Sequence, residues 1–418
     1  MKVALFIPAF LQGVGGAEKV AAQVANLVCE EGGKAVIVCN RYRSNKVHFN
    51  LAAGVHVRPI DINSSVEIRS LADENFDVLA GFGMFNFFAR LPVIGHLLGK
   101  PLIIQECTNP YNLCTSLMQD SVHACMTVNQ AFWLRQAVLA HAQAVRFTLP
   151  NYGRSVVEDV APFVYAFPNA FAAPMPCADQ PATGGKRIIC VGAFKDANKN
   201  GMLAARGFAK FSAEVSEFEL HIFGMNIFSN SLDELRVANE HAKIIDHGIV
   251  KNPAEIFGNA RALVISSFDE GLPNVVVEAF SYGVPCIGFA DCPGVRDLIE
   301  HRVNGFLLNE RSDDAIAAAL KELSSDALCK TLAEGAKATA ESFLDLTNWR
   351  QNWLRMLDNA AAGLDCHGQK ALPAARNIRH PRHKIWQEIL DPYAAYDSDN
   401  FNSMGRFGLL KRLSGWKS

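Results

Sequence analysis

Along this chain, short runs of aliphatic and β-branched residues alternate with segments whose apolar positions recur at helical spacing. That alternation predicts parallel sheets covered by helices. In the first half the strand runs are Val3 to Ile7, Ala35 to Cys39, Asp77 to Ala80, Leu102 to Gln105, Arg146 to Leu149 and Val164 to Phe167. Between the first two lies Ala17 to Glu31, which places Val20, Val24, Leu27 and Val28 on one helical face, so the chain opens on a βαβ unit. The pattern lapses where Pro174, Pro176 and Pro181 lead into Thr183, Gly184 and Gly185, a composition that breaks both helix and strand. A second series then begins: Arg187 to Val191, Phe218 to Phe223, Lys243 to Asp246, Ala262 to Ser266 and Pro285 to Phe289. The expected organisation is a doubly wound domain over 1–173, a linker over 174–185 and a second such domain over 186–345. A last helix over 346–364, carrying Trp349, Trp353, Leu354 and Leu357, is expected to cross back to the first domain, ahead of a basic extension over 365–418.

Bulk properties narrow the classes of function. A chain of 418 residues, half of them hydrophobic and a fifth charged, has the balance of a globular protein with two cores. The formal net charge of -2 argues against nucleic acid as a partner, because that binding rests on clustered Lys and Arg. Eleven scattered cysteines with no CxxC pair fit a reducing, cytoplasmic compartment and neither a disulfide framework nor a zinc site. The opening MKVALFIPAF breaks at Pro8 and reads as a strand, not a signal peptide, and no run is long enough to span a bilayer.

Three groups of residues carry chemistry. Gly13, Gly15 and Gly16 follow the first strand and open a helix, where a close backbone approach and free N–H groups suit a phosphate. A plain tight turn is the competing reading. A dinucleotide fold is disfavoured, since Glu18 stands where its third glycine belongs. Lys199 stands just ahead of a helix that starts near Asn200, adding a mobile charge to the helix dipole; Lys195 and Lys199 are otherwise ordinary solvated lysines. The third group is the segment SFDEGLPNVVVEAFSYGVPCIG from Ser267. Here Glu270 lies on the loop at a strand's carboxyl end, Gly271, Leu272 and Pro273 shape the turn, and Glu278 falls about one turn into a helix from Asn274 to Tyr282. Carboxylates at that spacing accept hydrogen bonds from vicinal hydroxyls, while the N–H groups of Gly271 to Val275 can receive phosphate or sugar oxygens.

These residues resemble the retaining glycosyltransferases of the GT-B fold, specifically glycosyltransferase family 4, whose hallmark is a Glu, seven residues and a second Glu. The likeness covers nearly all of residues 1–360: GGAE at Gly15 to Glu18, FPNAF at Phe167 to Phe171, VGAF with Lys199, EGLPNVVVEA, and NGFLL at Asn304 to Leu308. It implies two Rossmann-like doubly wound domains facing across a cleft. It also implies a donor sugar at Glu270, a ribose at Glu278, and diphosphate contacts from Lys199 and from the loop at Gly15 and Gly16. Family members usually carry an Arg where this chain has Ala193; either Lys195 supplies the missing charge or the phosphate is held less tightly. The stretch QECTNP stands where many relatives have a His near the reacting sugar, which makes Glu106, Thr108 and Asn109 candidate acceptor or sugar contacts. For Glu106 a structural cap is the equal alternative. The family implies no bound metal or cofactor; the Asp397, Ser398, Asp399 triplet follows no strand and is set aside as a mimic of another fold's metal motif.

The expected activity is therefore transfer of a hexose or N-acetylhexosamine from a nucleotide sugar, UDP-linked by expectation, to a glycan or lipid-linked acceptor in cell-surface polysaccharide assembly. An epimerase of the same fold and a non-catalytic nucleotide-sugar binder are the alternatives. Phe82, Phe85, Phe87 and Phe88 beside Arg90 suit either a lipid-facing surface or, more commonly, core packing. The basic amphipathic end, with Phe407, Leu409, Leu410, Leu413 and Trp416 among Arg406, Lys411, Arg412 and Lys417, is expected to give peripheral contact with the inner face of a membrane or to dock on the protein itself.

Overall fold

In a computed structural model of the chain, residues 1–11, 15–42, 46–83, 85–110, 128–156, 163–171, 185–194, 197–224, 229–341, 343 and 345–363 are described. Gly13, Lys195, nearly all of the expected linker and the whole basic extension lie outside the described residues. The chain divides into two compact units, Met1–Asn169 with the segment from Thr347 onward, and Ala170–Leu346.

Unit 1 is built on parallel strands β1 (Lys2–Phe6), β2 (Lys34–Asn40), β3 (Val55–Ile60), β4 (Val78–Gly83), β5 (Leu102–Glu106), β6 (Ala144–Phe147) and β7 (Phe163–Ala166). Their order across the sheet is β3-β2-β1-β4-β5-β6-β7. Winding reverses between β1 and β4, so the loops at the carboxyl ends of these two strands diverge and leave a crevice there. Every residue of β4 is buried, as expected of a central parallel strand covered on both faces. The helix α1 (Gly16–Glu30) buries Val20, Val24, Leu27 and Val28 along one face. It stops where Gly32 takes a left-handed φ of 77° and its N–H bonds the carbonyl of Cys29. Strand β3 was not foreseen. Its sequence VHVRPI alternates exposed and half-buried positions and carries a proline, which suits an edge strand paired only to β2.

The helix Leu346–Ala362 closes unit 1. Trp353 is fully buried; its ring meets Phe82 at 6.5 Å, Phe167 at 5.9 Å edge-on and Trp349 at 6.4 Å. Met356 and Leu357 are also buried, whereas Leu354 is only half-buried, a shift of the apolar stripe from the expected one. Phe82 and Phe88 are fully buried and Phe87 nearly so, so these three rings serve the core and not a lipid-facing surface; the side chain of Phe85 lies outside the described residues.

Unit 2 carries β8 (Arg187–Val191), β9 (Glu219–Phe223), β10 (Ile244–Asp246), β11 (Ala260–Val264), β12 (Cys286–Phe289) and β13 (Gly305–Leu308). All pairings are parallel, in the order β10-β9-β8-β11-β12-β13, with the reversal between β8 and β11. Strand β13 lies within the NGFLL motif and is not among the expected strands, because four residues, GFLL, show no usable period. One core cluster joins Phe208, Phe211 and Phe218 to Ile222, Val264, Ile287 and Leu320. Among the described residues no helix is long and apolar enough to cross a membrane.

Since Trp353 fills a site bounded by three aromatic rings, Trp353→Ala should destabilise unit 1 by about 3–5 kcal/mol through lost burial and a residual cavity. Urea denaturation followed by fluorescence is the check; a midpoint unchanged from wild type would mean that the helix only rests on the sheet.

Candidate functional site

In unit 2 the reversal of winding sets the chemistry. The loop after β8 carries Lys199, and the loop after β11 carries Glu270. Because β8 and β11 are neighbours, the two loops share one edge of the crevice. The Lys199 ammonium donates to Glu270 Oε1 at 2.6 Å, and the side chains are 26% and 13% exposed. Backbone bonds lock the loops around this pair. Asn198 Nδ2 donates to the carbonyl of Asp269 at 2.8 Å, the N–H of Phe268 donates to the carbonyl of Asn198 at 2.9 Å, and Ser266 Oγ reaches the carbonyls of Lys199 and Asn200 at 3.1 and 2.9 Å. Asn200 takes a left-handed φ of 44°, which turns the chain directly into α2 (Gly201–Ser212).

Glu270 is backed from the other side. The N–H of Gly294 donates to its carbonyl at 3.2 Å, and a methyl group on Gly294 would run into the carbonyl oxygens of Glu270 and Gly271, so only glycine allows this approach. The buried thiol of Cys292 is pushed up to about 12, first by burial and then by the charge of Glu270. That group is neutral at physiological pH. The helix α3 (Asn274–Ser281) begins after Pro273, which supplies no side-chain cap. Val276, Val277, Ala279 and Phe280 are buried, leaving Asn274 and Glu278, one turn apart, on the half-buried face. Leu272 and Pro273 are buried and serve the turn itself. Ala193 is exposed, with no charge to offer.

In unit 1 the loop at Gly15 and Gly16 does open a helix at the switch point, with Gly15 as the N-cap of α1. Its neighbour Glu18 is buried, and its carboxylate folds back onto the backbone at Gly15; burial raises its pKa despite those bonds. The thiol of Cys107, just beyond β5, is pushed up, first by burial and then by the charge of Glu18. Thr108 keeps a buried hydroxyl oxygen with no protein partner, and Asn109 is buried.

Glu106 requires a correction. Its carboxylate is fully buried and takes both oxygens to one guanidinium, Arg135 Nε at 2.6 Å and Nη2 at 2.9 Å, while Arg135 also donates to the carbonyl and hydroxyl of Ser155 at 3.2 and 3.0 Å. Among the described residues it caps no helix, and its oxygens are engaged below the surface. Arg135 sits on the helix Val128–Ala140, and no local sequence signal ties it to Glu106. Arg311, Asp291, Gly294, Asn198 and Ser266 were also missed. Asp291 pairs with the guanidinium of Arg311 through its carboxylate, and the other four work through backbone groups, which leave little trace in residue type. Among the described residues no group of three or more His, Cys, Asp or Glu side chains is placed to hold a metal ion, and Asp397 to Asp399 lie outside them.

Residues 185–326 match the family described as Glycosyl transferases group 1. The chain is 28% identical over 166 residues to an alpha-1,4-N-acetyl-D-galactosaminyltransferase of Campylobacter jejuni that acts on a diNAcBac-PP-undecaprenol-linked glycan, covering 39% of this chain and 45% of that one. It is 31% identical over 124 residues to lipopolysaccharide 1,6-galactosyltransferase of Salmonella typhimurium, covering 28% and 34%. The chain thus spans less than half the length of these curated relatives. Among solved structures, Anabaena HepE in complex with UDP and glucose superposes with a TM-score of 0.65 at 14% identity, over 86% of this chain and 100% of that one. The lipopolysaccharide outer core galactosyltransferase WaaB superposes with a TM-score of 0.61 at 19% identity, over 87% and 99%. The fold is that of the GT-B glycosyltransferases, two α/β units each on a parallel sheet.

The buried pair of unit 1 separates structure from substrate contact. Glu106→Gln leaves a buried guanidinium without its counter-charge and should cost about 3–5 kcal/mol of stability. Its urea midpoint should fall while nucleotide affinity stays at the wild-type value. Unchanged stability with lost acceptor binding would return Glu106 to the substrate.

Proposed function

We propose that this chain is a hexosyltransferase that moves a hexose or N-acetylhexosamine from a nucleotide diphosphate sugar to a glycan or lipid-linked acceptor in polysaccharide assembly. The donor is a UDP-sugar, and the configuration at the anomeric carbon is retained. One observation carries this reading: a cation and a carboxylate, Lys199 and Glu270, meet at 2.6 Å on the two loops that flank the switch point of unit 2. The matched family region, 185–326, includes both residues, and the names of the Campylobacter and Salmonella relatives supply the acceptor class. The UDP and glucose in the HepE complex support the donor class.

The roles follow from charge. When the bond from the anomeric carbon to the diphosphate breaks, the electron pair and the growing negative charge go to the phosphate oxygen. In this reading Lys199 and the N–H groups at the start of α3 stabilise that charge as it forms, the electrostatic contribution that lowers a barrier. Glu270 releases Lys199 to the diphosphate and accepts hydrogen bonds from the sugar hydroxyls. Glu278 takes the ribose in the same way. The acceptor hydroxyl then bonds to the anomeric carbon, and its proton passes to the departing phosphate oxygen.

A thermal-shift panel of nucleotide sugars identifies the donor, since a ligand at a hundred times its dissociation constant adds about 2.7 kcal/mol to the folded state. With that donor and an acceptor, Glu270→Gln should reduce kcat by about a hundredfold or more while leaving Tm unchanged. Full transfer by the variant would remove Glu270 from the chemistry. Conversion of the donor sugar without any acceptor would replace transferase by epimerase.

A further inference from the structure

The carboxyl ends of three adjacent strands in unit 2 are tied together by one side chain that lies outside the Glu270 to Glu278 segment. Arg311 follows β13, just before Ser312 caps the helix Asp313–Leu323 through a 3.1 Å bond from the N–H of Ala315. Its side chain is only 14% exposed. Nη1 donates to the carbonyl of Ser266 at 2.9 Å and Nη2 to the carbonyl of Ser267 at 2.7 Å, both beyond β11. Nε donates at 2.6 Å to Asp291, which stands beyond β12. The guanidinium carbon also lies over two rings, 4.6 Å from the centroid of Phe268 and 4.5 Å from that of Phe289.

We infer that Arg311 is a positioning residue for the proposed transfer, fixing the backbone of the loop from Ser266 to Glu270 beside the Lys199 loop. The inference rests on the glycosyltransferase reading for its consequence, though not for its geometry. Where β11 ends, the carbonyls of Ser266 and Ser267 pass beyond the ladder, and backbone acceptors so placed require donors. Arg311 supplies two in one rigid plane. From Ser266 the chain of bonds continues through its hydroxyl to the backbone of Lys199 and Asn200, and from Phe268 through its N–H to Asn198. The lysine loop and the glutamate loop are thus referenced to the same fork. A lysine could not replace it: an ammonium is a point donor, without the planar array that reaches two carbonyls and a carboxylate while lying over two rings.

The test compares Arg311→Ala and Arg311→Lys with wild type in the full chain, using hydrogen exchange and kinetics together. Exchange of the amides of residues 266–271 should accelerate about tenfold or more in Arg311→Ala, with the strands of both units unchanged, because the loop opens locally. Transfer should fall about tenfold or more in kcat while the affinity for UDP changes by less than about threefold, the pattern of a lost transition-state arrangement. Millimolar guanidinium should restore part of kcat to Arg311→Ala and nothing to Arg311→Lys or Glu270→Gln. Unchanged exchange over 266–271, or acceleration spread evenly over unit 2, overturns the positioning role. Absence of transfer by wild type with every donor overturns the transferase reading instead, and the exchange result still decides what Arg311 does.

Discussion

In unit 2, β8 and β11 lie side by side because the winding of the sheet reverses between them, and the candidate chemistry of that unit hangs from their carboxyl ends. Elsewhere in a parallel sheet, the loops leaving neighbouring strands cross the same face and crowd each other. At the reversal they part, and a ligand can reach the strand ends. Lys199 and Glu270 gain their proximity from this single topological fact, since 70 residues separate them along the chain (199 to 270, exclusive). The short polar bonds from Asn198, Ser266 and Arg311 then convert proximity into a fixed geometry.

Charge is used in two ways in this molecule. Glu106 and Arg135 are fully buried and neutralise each other, and their low exposure suits a permanent structural tie. Arg146, also fully buried, donates to Gln105 and Asn169 and to the carbonyls of Phe167 and Pro168, with the rings of Phe167 and Trp353 at 4.4 and 5.4 Å. Burial lowers its pKa to about 9, so it remains a cation at neutral pH and holds the closing helix to the sheet through its ring contacts. Lys199 and Glu270 differ from both. They are partly exposed, so each can leave the other for a ligand without stranding a charge in the interior.

Much of this was legible in the sequence. The central strands were plain because burial on both faces forces unbroken apolar runs, as in VALF of β1 and VLAGFG of β4. The edge strand β3 and the short β13 were not, one because half of it faces solvent and the other because four residues carry no period. In the site, Lys199, Glu270 and Glu278 stood out through spacing relative to a strand end and a helix start. Glu106 misled, since a carboxylate at a strand end looks the same whether it faces a substrate or a buried Arg135 brought by another helix. Arg311 gave no signal, because its work is done on carbonyls that every residue possesses.

The central claim is that Lys199 serves the diphosphate, and the affinity ratio of UDP to uridine measures it most directly. Titration calorimetry on wild type should show UDP bound far more tightly than uridine. In Lys199→Met that ratio should shrink by about 10–100-fold, the worth of one charge-assisted contact of about 1.5–3 kcal/mol, while uridine itself binds as before. An unchanged ratio would place the diphosphate elsewhere and contradict the account.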